Sequence, residues 1–292
     1  MAPLRDLAVL LGAPCGRPQP PRLISSPPAA MPRSDRPLWQ LPAGVSRGLW
    51  DYVHSPHIAD TYDDYFAFNS LFDFDESLLL ETFPTPGVIA DLGCGTGRAL
   101  VPLVEAGHRG LAVDLSAHML QIVREKADSY DLPIDCVLAN MVELDCLRTA
   151  SVDGAICMFS TLGMIRGRAN RRQALAHARR ILKPGGRLVL HVHNYWYNLR
   201  DPDGPWWVLK NLCTAPWSGS VEVGDKWFPY RGLPSMFLHV FRWRELAADL
   251  ASAGFRVDRR VRLDAERRHA LSAPWLLPAL RTNGWIVVAA AG

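Results

Sequence analysis

The residues best suited to chemistry stand in one short stretch of this 292-residue chain, residues 88–98, which read VIADLGCGTGR. Three apolar residues precede Asp91, and three glycines follow it at alternate positions: Gly93, Gly95 and Gly97. This pattern predicts a buried parallel strand that ends in a tight turn and opens a helix from about position 96. Glycines let a ligand lie against the main chain, and the first turn of that helix would point free N–H groups at it.

The spacing of the glycines and acids indicates the kind of ligand. A fold that binds pyrophosphate uses G-x-G-x-x-G, whereas this chain has G-x-G-x-G with Asp91 two residues ahead. A carboxylate there would repel a pyrophosphate and attract an ammonium group. A second apolar run, residues 110–113, ends in Asp114, 23 residues after Asp91, where an acid is expected to bind ribose hydroxyls. The two acids predict a site for a nucleoside with a positively charged amino-acid tail. The glycine spacing and Asp91 disfavour an NAD-dependent dehydrogenase.

Over residues 62–292 the sequence resembles the class I S-adenosylmethionine-dependent methyltransferases. The resemblance is carried by DLGCGTG (residues 91–97), by VDLS (113–116) and by LKPGG (182–186) ahead of a strand. It implies an α/β, Rossmann-like doubly wound sheet of seven strands, six parallel and one antiparallel, with S-adenosyl-L-methionine as cofactor. The cofactor contacts that we predict are Asp91, Gly93, Cys94, Gly95, Gly97, Asp114, Leu115, Met119, Asn140, Met141, Phe159 and Tyr62.

Two of these contacts follow from the resemblance alone. The family usually has an acid at the tip of the third strand, which accepts a hydrogen bond from the adenine amino group. This chain has Asn140 there, and its amide carbonyl can still accept that bond. A helix that packs over the cofactor in the family is expected to bring Tyr62 to the methionine carboxylate. The alternative is that Tyr62, Tyr65 and Phe66 are ordinary core residues.

Strands and helices alternate around these motifs, as an α/β fold requires. Apolar runs predict strands over residues 133–139, 151–159, 187–193 and 285–290, and alternation of apolar and polar residues predicts a strand over 256–261. Helical periodicity predicts helices that begin after Ser116, over residues 169–182 and from Trp243. The helix over 169–182 is expected to keep Ala174 and Leu175 inward and its arginines outward, namely Arg171, Arg172, Arg179 and Arg180.

Composition suggests the domain organisation. Residues 1–42 are rich in Pro, Arg and Ser, which predicts a disordered N-terminal extension, with Met31 as an alternative start. We predict one methyltransferase domain over residues 43–292, with an N-terminal helical cap over 43–83 and a Trp-rich insertion over 194–241. That insertion holds five of the ten tryptophans and is expected to lie over the active site. The alternative is a hydrophobic cap that completes the core or pairs subunits.

Charge and cysteine content bear on partners and location. The net charge of +3 is too small to require nucleic acid, although two arginine groups (166, 168, 171, 172, and 256, 259, 260, 262, 267, 268) could bind RNA phosphates. A solvated surface is the alternative, since 28 of the 32 basic residues are arginine. The six cysteines have no metal-binding spacing, which indicates reduced thiols, a cytoplasmic location and no metal site. No apolar run reaches ~18 residues, so no membrane span is predicted; the sequence does not indicate an oligomeric state.

The chemistry expected of such a site is an in-line displacement at a sulfonium methyl group. The leaving group departs neutral, so most of the acceleration comes from positioning the acceptor. His193, at the end of the fifth strand, is the candidate general base because an ordinary histidine titrates near pH 7. Packing of His191 and His193 on one strand face is the alternative.

The favoured function is methyl transfer to a small-molecule acceptor, apolar or aromatic, because the Trp-rich insertion suits such a ligand. The tetrapeptide Asn/Asp-Pro-Pro-Tyr, typical of enzymes that methylate DNA amino groups, is absent from the sequence. An RNA or protein methyltransferase and a non-catalytic S-adenosylmethionine-binding module are the alternatives.

Overall fold

The computed structural model of the protein describes residues 37–60, 62 and 71–292. Its strands, in chain order, are β1 (Val88–Leu92), β2 (Arg109–Asp114), β3 (Ile134–Leu138), β4 (Val152–Cys157), β5 (Leu182–His193), β6 (Asp225–Tyr230), β7 (Leu233–His239), β8 (Phe255–Arg262) and β9 (Gly284–Ala291). Its helices are α1 (Arg47–Val53), α2 (Pro56–Asp60), α3 (Leu71–Thr82), α4 (Val101–Glu105), α5 (Ala117–Tyr130), α6 (Thr161–Met164), α7 (Arg168–Ile181), α8 (Gly204–Thr214), α9 (Trp243–Ser252) and α10 (Pro278–Arg281). Most of the extension predicted over residues 1–42, and both Tyr65 and Phe66, lie outside the described residues.

Seven strands form one sheet in the order β3-β2-β1-β4-β5-β9-β8, and β6 pairs with β7 in a separate hairpin. The neighbours from β3 to β5 pair in parallel, and β9 runs antiparallel to both β5 and β8. The predicted arrangement of six parallel strands and one antiparallel strand is confirmed. The strand order reverses between β1 and β4, and ligands of open α/β sheets bind at the carboxyl ends beside such a reversal.

Helices cover both faces of this sheet, which is why its central strands direct apolar side chains towards both faces. In β1, Ile89 packs into the core on one face, whereas Ala90 and Leu92 pack into the core on the other. In β4, Ile156 and Cys157 likewise enter opposite cores. The central strands are therefore fixed on both sides, and their carboxyl ends form a rigid base for a site.

Two predicted boundaries are wrong. The helix expected from about position 96 begins only at Val101, because residues 93–100 form successive turns and Gly97 has a φ of +79°. Pro102 fits near the start of this five-residue helix, where its missing N–H breaks no intrahelical bond. The fifth strand was expected to begin at Arg187, but β5 begins at Leu182, directly after α7. Residues 182–186 therefore start a strand.

The connection from β5 to α9 carries two short helical turns (Tyr195–Arg200 and Ala215–Trp217), α8 and the β6–β7 hairpin. This hairpin packs against α1 from the other end of the chain. At Gly48 of α1 the approach is so close that an added Cβ would lie 2.0 Å from the Ser235 carbonyl oxygen. Helix α1 and the hairpin therefore support each other beside the carboxyl ends of the central strands.

Candidate functional site

The turn after β1 is tied to the end of β2 by backbone hydrogen bonds. Gly93 and Cys94 donate their N–H groups to the Val113 carbonyl oxygen at 2.7 and 3.1 Å, and the Gly95 N–H donates to Asp114 Oδ2 at 2.8 Å. Gly93 has a φ of +80°, and an added Cβ would lie 2.3 Å from Thr161 Cγ2. An added Cβ at Gly95 would meet no atom within 4 Å. The turn therefore needs glycine for its shape at position 93 and leaves open space above position 95.

Asp91 stands one residue before the end of β1. Its carboxyl group is buried and has no hydrogen-bond partner in the described part of the chain. It is 2% exposed, and burial raises its pKa well above the usual range, with the charge of Asp114 adding to the effect. A buried carboxyl group that nothing compensates is costly unless a ligand supplies the partner. The group it suits is a hydrogen-bonding cation.

Asp114 is held differently, by donors from the main chain. Its carboxylate accepts hydrogen bonds from Gly95 N at 2.8 Å and from Ser116 N at 2.7 Å. Burial raises its pKa and these bonds oppose the rise. Each oxygen keeps a lone pair for a further donor, so the carboxylate can accept from a hydroxyl group while its orientation stays fixed.

A cavity of about 460 Å³ opens at these strand ends. Every predicted site residue except Gly97 lines it: Tyr62, Asp91, Gly93, Cys94, Gly95, Asp114, Leu115, Met119, Asn140, Met141, Phe159 and His193. Gly97 instead closes the turn, since its N–H donates to the Cys94 carbonyl oxygen and an added Cβ would lie 3.2 Å from Val123 Cγ2. The prediction that Gly97 contacts the ligand is therefore not supported, because the residue faces α5.

Asn140 lies at the tip of β3 as expected, but its side chain already has two partners. Its Nδ2 donates to the Ala43 carbonyl oxygen at 2.9 Å, and its Oδ1 accepts from Val142 N at 3.1 Å. The first bond connects the tip of β3 to the N-terminal segment. One lone pair of Oδ1 is left for a donor in the cavity.

The expectation that His193 titrates near neutral pH is wrong. Burial lowers its pKa to about 4, with the charge of Arg267 adding to the effect and a hydrogen bond to the Asn283 side chain opposing it. Its ring packs edge-on against His191, whose pKa burial lowers further. His193 does line the cavity, but as a neutral imidazole that is a weak base at pH 7.

Several further groups line this cavity that the sequence motifs do not predict. Arg98 directly follows the glycine turn, so its position could have been inferred. Arg267 comes from the loop between β8 and β9, which no local pattern associates with the site. Apolar and aromatic side chains of the hairpin form one wall of the cavity: Phe228, Tyr230, Met236, Phe237 and Leu238.

The prediction that Arg171 lies on the outer face of α7 is wrong, because this residue is fully buried. Its guanidinium pairs with Glu222 at 2.5 Å and lies 3.6 Å from Glu245. His239 stands beside it, with Nδ1 2.8 Å from Asp225 Oδ1 and Nε2 2.9 Å from Glu245 Oε1. This ion-pair cluster joins the hairpin to α7 and α9, and it includes three residues whose oxygen and nitrogen atoms lie within 4.8 Å of one another: Glu222, Asp225 and His239.

The two neighbours of Arg171 in the proposed RNA-binding group are paired as well. Asp249 accepts from Arg168 Nε at 3.0 Å and from Arg172 Nε at 2.7 Å. In the second group Arg259 pairs with Glu81, and Arg260 stacks 4.1 Å above the Trp243 ring centroid. These contacts disfavour the prediction that either group is a phosphate-binding surface.

Comparisons with known proteins identify the family to which the chain belongs. Residues 89–186 match a family model described as a methyltransferase domain. The chain is 34% identical over 177 residues to demethylmenaquinone methyltransferase from Thermus thermophilus, an alignment that covers 59% of this chain and 76% of that protein. It is 34% identical over 111 residues to an S-adenosyl-L-methionine-dependent Diels-Alderase from Talaromyces variabilis, covering 37% and 36%. The chain spans only 33 to 42% of the length of three of the relatives that it matches, one of which is this Diels-Alderase.

A solved structure shows the same fold. The 1,6-didemethyltoxoflavin-N1-methyltransferase from Burkholderia thailandensis, with 1,6-didemethyltoxoflavin and S-adenosylhomocysteine bound, superposes with a TM-score of 0.55 at 21% identity. The superposition covers 82% of this chain and 85% of that one. The similarity to the Thermus thermophilus protein places this chain in the S-adenosylmethionine-dependent methyltransferase family. The cofactor of that family is S-adenosyl-L-methionine. No helix in the described part of the chain combines the length and apolarity needed to cross a bilayer.

Proposed function

We propose that the enzyme transfers the methyl group of S-adenosylmethionine to a small, apolar or aromatic acceptor that lies between the cofactor and the β6–β7 hairpin. The cofactor's ammonium group pairs with Asp91, its ribose hydroxyls with Asp114, and its adenine lies beside Asn140 and Met141. The uncompensated carboxyl group of Asp91 and the open space above Gly95 support this orientation. Tyr62 and Arg98 line the same end and suit the methionine carboxylate.

The observation that carries the small-molecule proposal is the apolar wall that the hairpin contributes to the cavity. Phe228, Met236 and Phe237 close that side of the cavity, and the ion-pair cluster around Arg171 holds their hairpin to the body of the protein. A cavity of about 460 Å³ lined in this way suits a compact ligand more than an RNA or protein chain. Two similar proteins are named for demethylmenaquinone and 1,6-didemethyltoxoflavin, which are small molecules.

S-adenosylmethionine supplies an electrophilic methyl group on a positively charged sulfur. The residues of this chain must then hold the acceptor atom in line with that methyl group and keep water away. The apolar wall does both, whereas the neutral His193 imidazole can orient an acceptor by a hydrogen bond. With a pKa of about 4, His193 is not expected to produce an inflection near pH 6.5 in the rate profile. An inflection there that His193→Asn removes would reinstate it as the base.

Methyl-labelled cofactor incubated with cell extract tests the acceptor class. Dialysis first separates the small molecules of the extract from its macromolecules, and anion exchange then separates the retained RNA from the retained protein. Each of the three fractions is incubated separately with the enzyme. Label is expected in the dialysable fraction. Phe228→Ala should reduce that labelling and leave the affinity for S-adenosylhomocysteine within about twofold, because the side chain faces the acceptor. Label confined to RNA or to protein would overturn the proposal.

A further inference from the structure

Arg267 is a cation in the cavity wall without a direct counter-charge. It stands in the loop that joins β8 to β9, with a φ of +61°, and its side chain lines the cavity. Among the residues that the structure describes, no carboxylate lies within ion-pair distance of its guanidinium, and no hydrogen bond to the guanidinium is formed. Burial lowers the pKa of this group, so holding the charge there is unfavourable without a partner.

Asp75 of α3 is the carboxyl group whose charge acts on Arg267, and it compensates that charge only in part. Burial raises the pKa of Asp75 to about 7, and the charge of Arg267 opposes the rise. The carboxyl group is therefore substantially protonated at neutral pH. It does not line the cavity, so it leaves the cavity side of the guanidinium available.

The neighbours of Arg267 place it at the acceptor end of the cavity. Its charge lowers the pKa of His193, at the end of β5, and Tyr197, which follows β5, is among the groups whose charge acts on Arg267. At the cofactor end the charge of Arg98 lowers the pKa of Tyr62. Arg267 is not among the charges that shift Asp91 or Asp114. Of the residues that line the described cavity, these two arginines carry its positive charge, one at each end.

We infer that Arg267 binds a carboxylate of the methyl acceptor, so that the substrate class is planar or apolar carboxylic acids. A guanidinium pairs with a carboxylate through two parallel hydrogen bonds, which orients the ligand as well as holding it. A phosphate would require more positive charge than a single guanidinium provides at that end. The inference rests on the proposed function and specifies the chemistry of its acceptor.

The test uses the full-length protein saturated with S-adenosylhomocysteine and titrated by calorimetry with cinnamate and cinnamamide. These probes share shape and planarity and differ in charge. The wild-type complex is expected to bind cinnamate roughly tenfold more tightly than cinnamamide, a ratio expected of a partly buried ion pair. Arg267→Met should abolish the preference for cinnamate. The matched control is Arg268→Met, which removes an exposed pair with Glu266 and should keep the preference.

Three results would overturn the inference. One is a wild-type complex that does not prefer cinnamate, whether both probes bind or neither does; this measurement does not depend on how the variant folds. Another is an Arg267→Met variant that keeps the preference. The third is an Arg267→Met variant that binds S-adenosylhomocysteine much more weakly, since the arginine would then serve the cofactor. If wild-type protein binds S-adenosylhomocysteine and labels small molecules but shows no preference, the proposed function stands and only the carboxylate assignment fails.

Discussion

Replacing Asp91 by asparagine should weaken cofactor binding and stabilise the ligand-free protein. The carboxyl group is 2% exposed, lies near Asp114 and has no hydrogen-bond partner in the described part of the chain. Its burial is compensated only when an ammonium group binds. A hydrogen bond between charged groups contributes about 1.5–3 kcal/mol, so Asp91→Asn should raise the Kd of S-adenosylhomocysteine about 10- to 150-fold. The ligand-free variant should melt at a higher temperature than the wild type, because asparagine carries no charge to bury.

The raised pKa of Asp91 gives the same prediction a second readout. The ligand-free carboxyl group holds its proton at higher pH than usual, and pairing with an ammonium group favours the ionised form. Binding should therefore release a proton, and affinity should increase as pH rises towards the pKa of the free protein. Calorimetry in two buffers of different ionisation enthalpy measures this release. Asp91→Asn should abolish it, whereas Asp135→Asn, which removes a half-exposed pair with Arg109, should not. Unchanged affinity in Asp91→Asn, or binding without proton release, would refute the reasoning.

Three further changes test other parts of the structure. Folded Asp75 keeps its proton up to about pH 7 and an unfolded aspartate releases it near 3.8, so stability falls as pH rises between these values. Asp75→Asn should therefore raise the free energy of unfolding by about 2–3 kcal/mol more at pH 8 than at pH 5, as measured by thermal unfolding. Equal increases at the two pH values would contradict this. Arg171→Met removes the buried cation that pairs with Glu222 and Glu245 and should cost about 3–5 kcal/mol in urea unfolding; a loss under about 1 kcal/mol would show that the cluster is dispensable. In Gly93→Ala the new Cβ would lie 2.3 Å from Thr161 Cγ2, whereas Gly185 has a similar positive φ but open space around it. Gly93→Ala should therefore lower the free energy of unfolding more than Gly185→Ala, and equal losses would exclude the clash.

The sheet and most of the cofactor end were predictable because their signals are local. Asp91 and the glycines stand within a few residues of each other, and the apolar run before Asp114 reports two-sided burial directly. A strand buried on both faces is predominantly apolar, whatever the rest of the chain does. Gly97 shows the limit of such motifs, because the pattern does not say which glycine faces the ligand and which shapes the turn.

The acceptor end could not be predicted, because its properties arise between residues far apart in the chain. Arg171 follows a surface-like pattern within α7, and its burial depends on Glu222, 51 residues away. The low pKa of His193 reflects burial and the charge of Arg267, which belongs to a different loop. A histidine read in isolation keeps its ordinary pKa, and only the packed structure shows how far that value moves.

The most direct measurement is a crystal structure of the protein with S-adenosylhomocysteine bound. The account predicts that its amino group contacts the Asp91 carboxylate, its ribose contacts Asp114, and its sulfur faces the side of the cavity formed by His193 and the β6–β7 hairpin. Density for the ligand outside this cavity, or inside it with the amino group away from Asp91, would contradict the central claim.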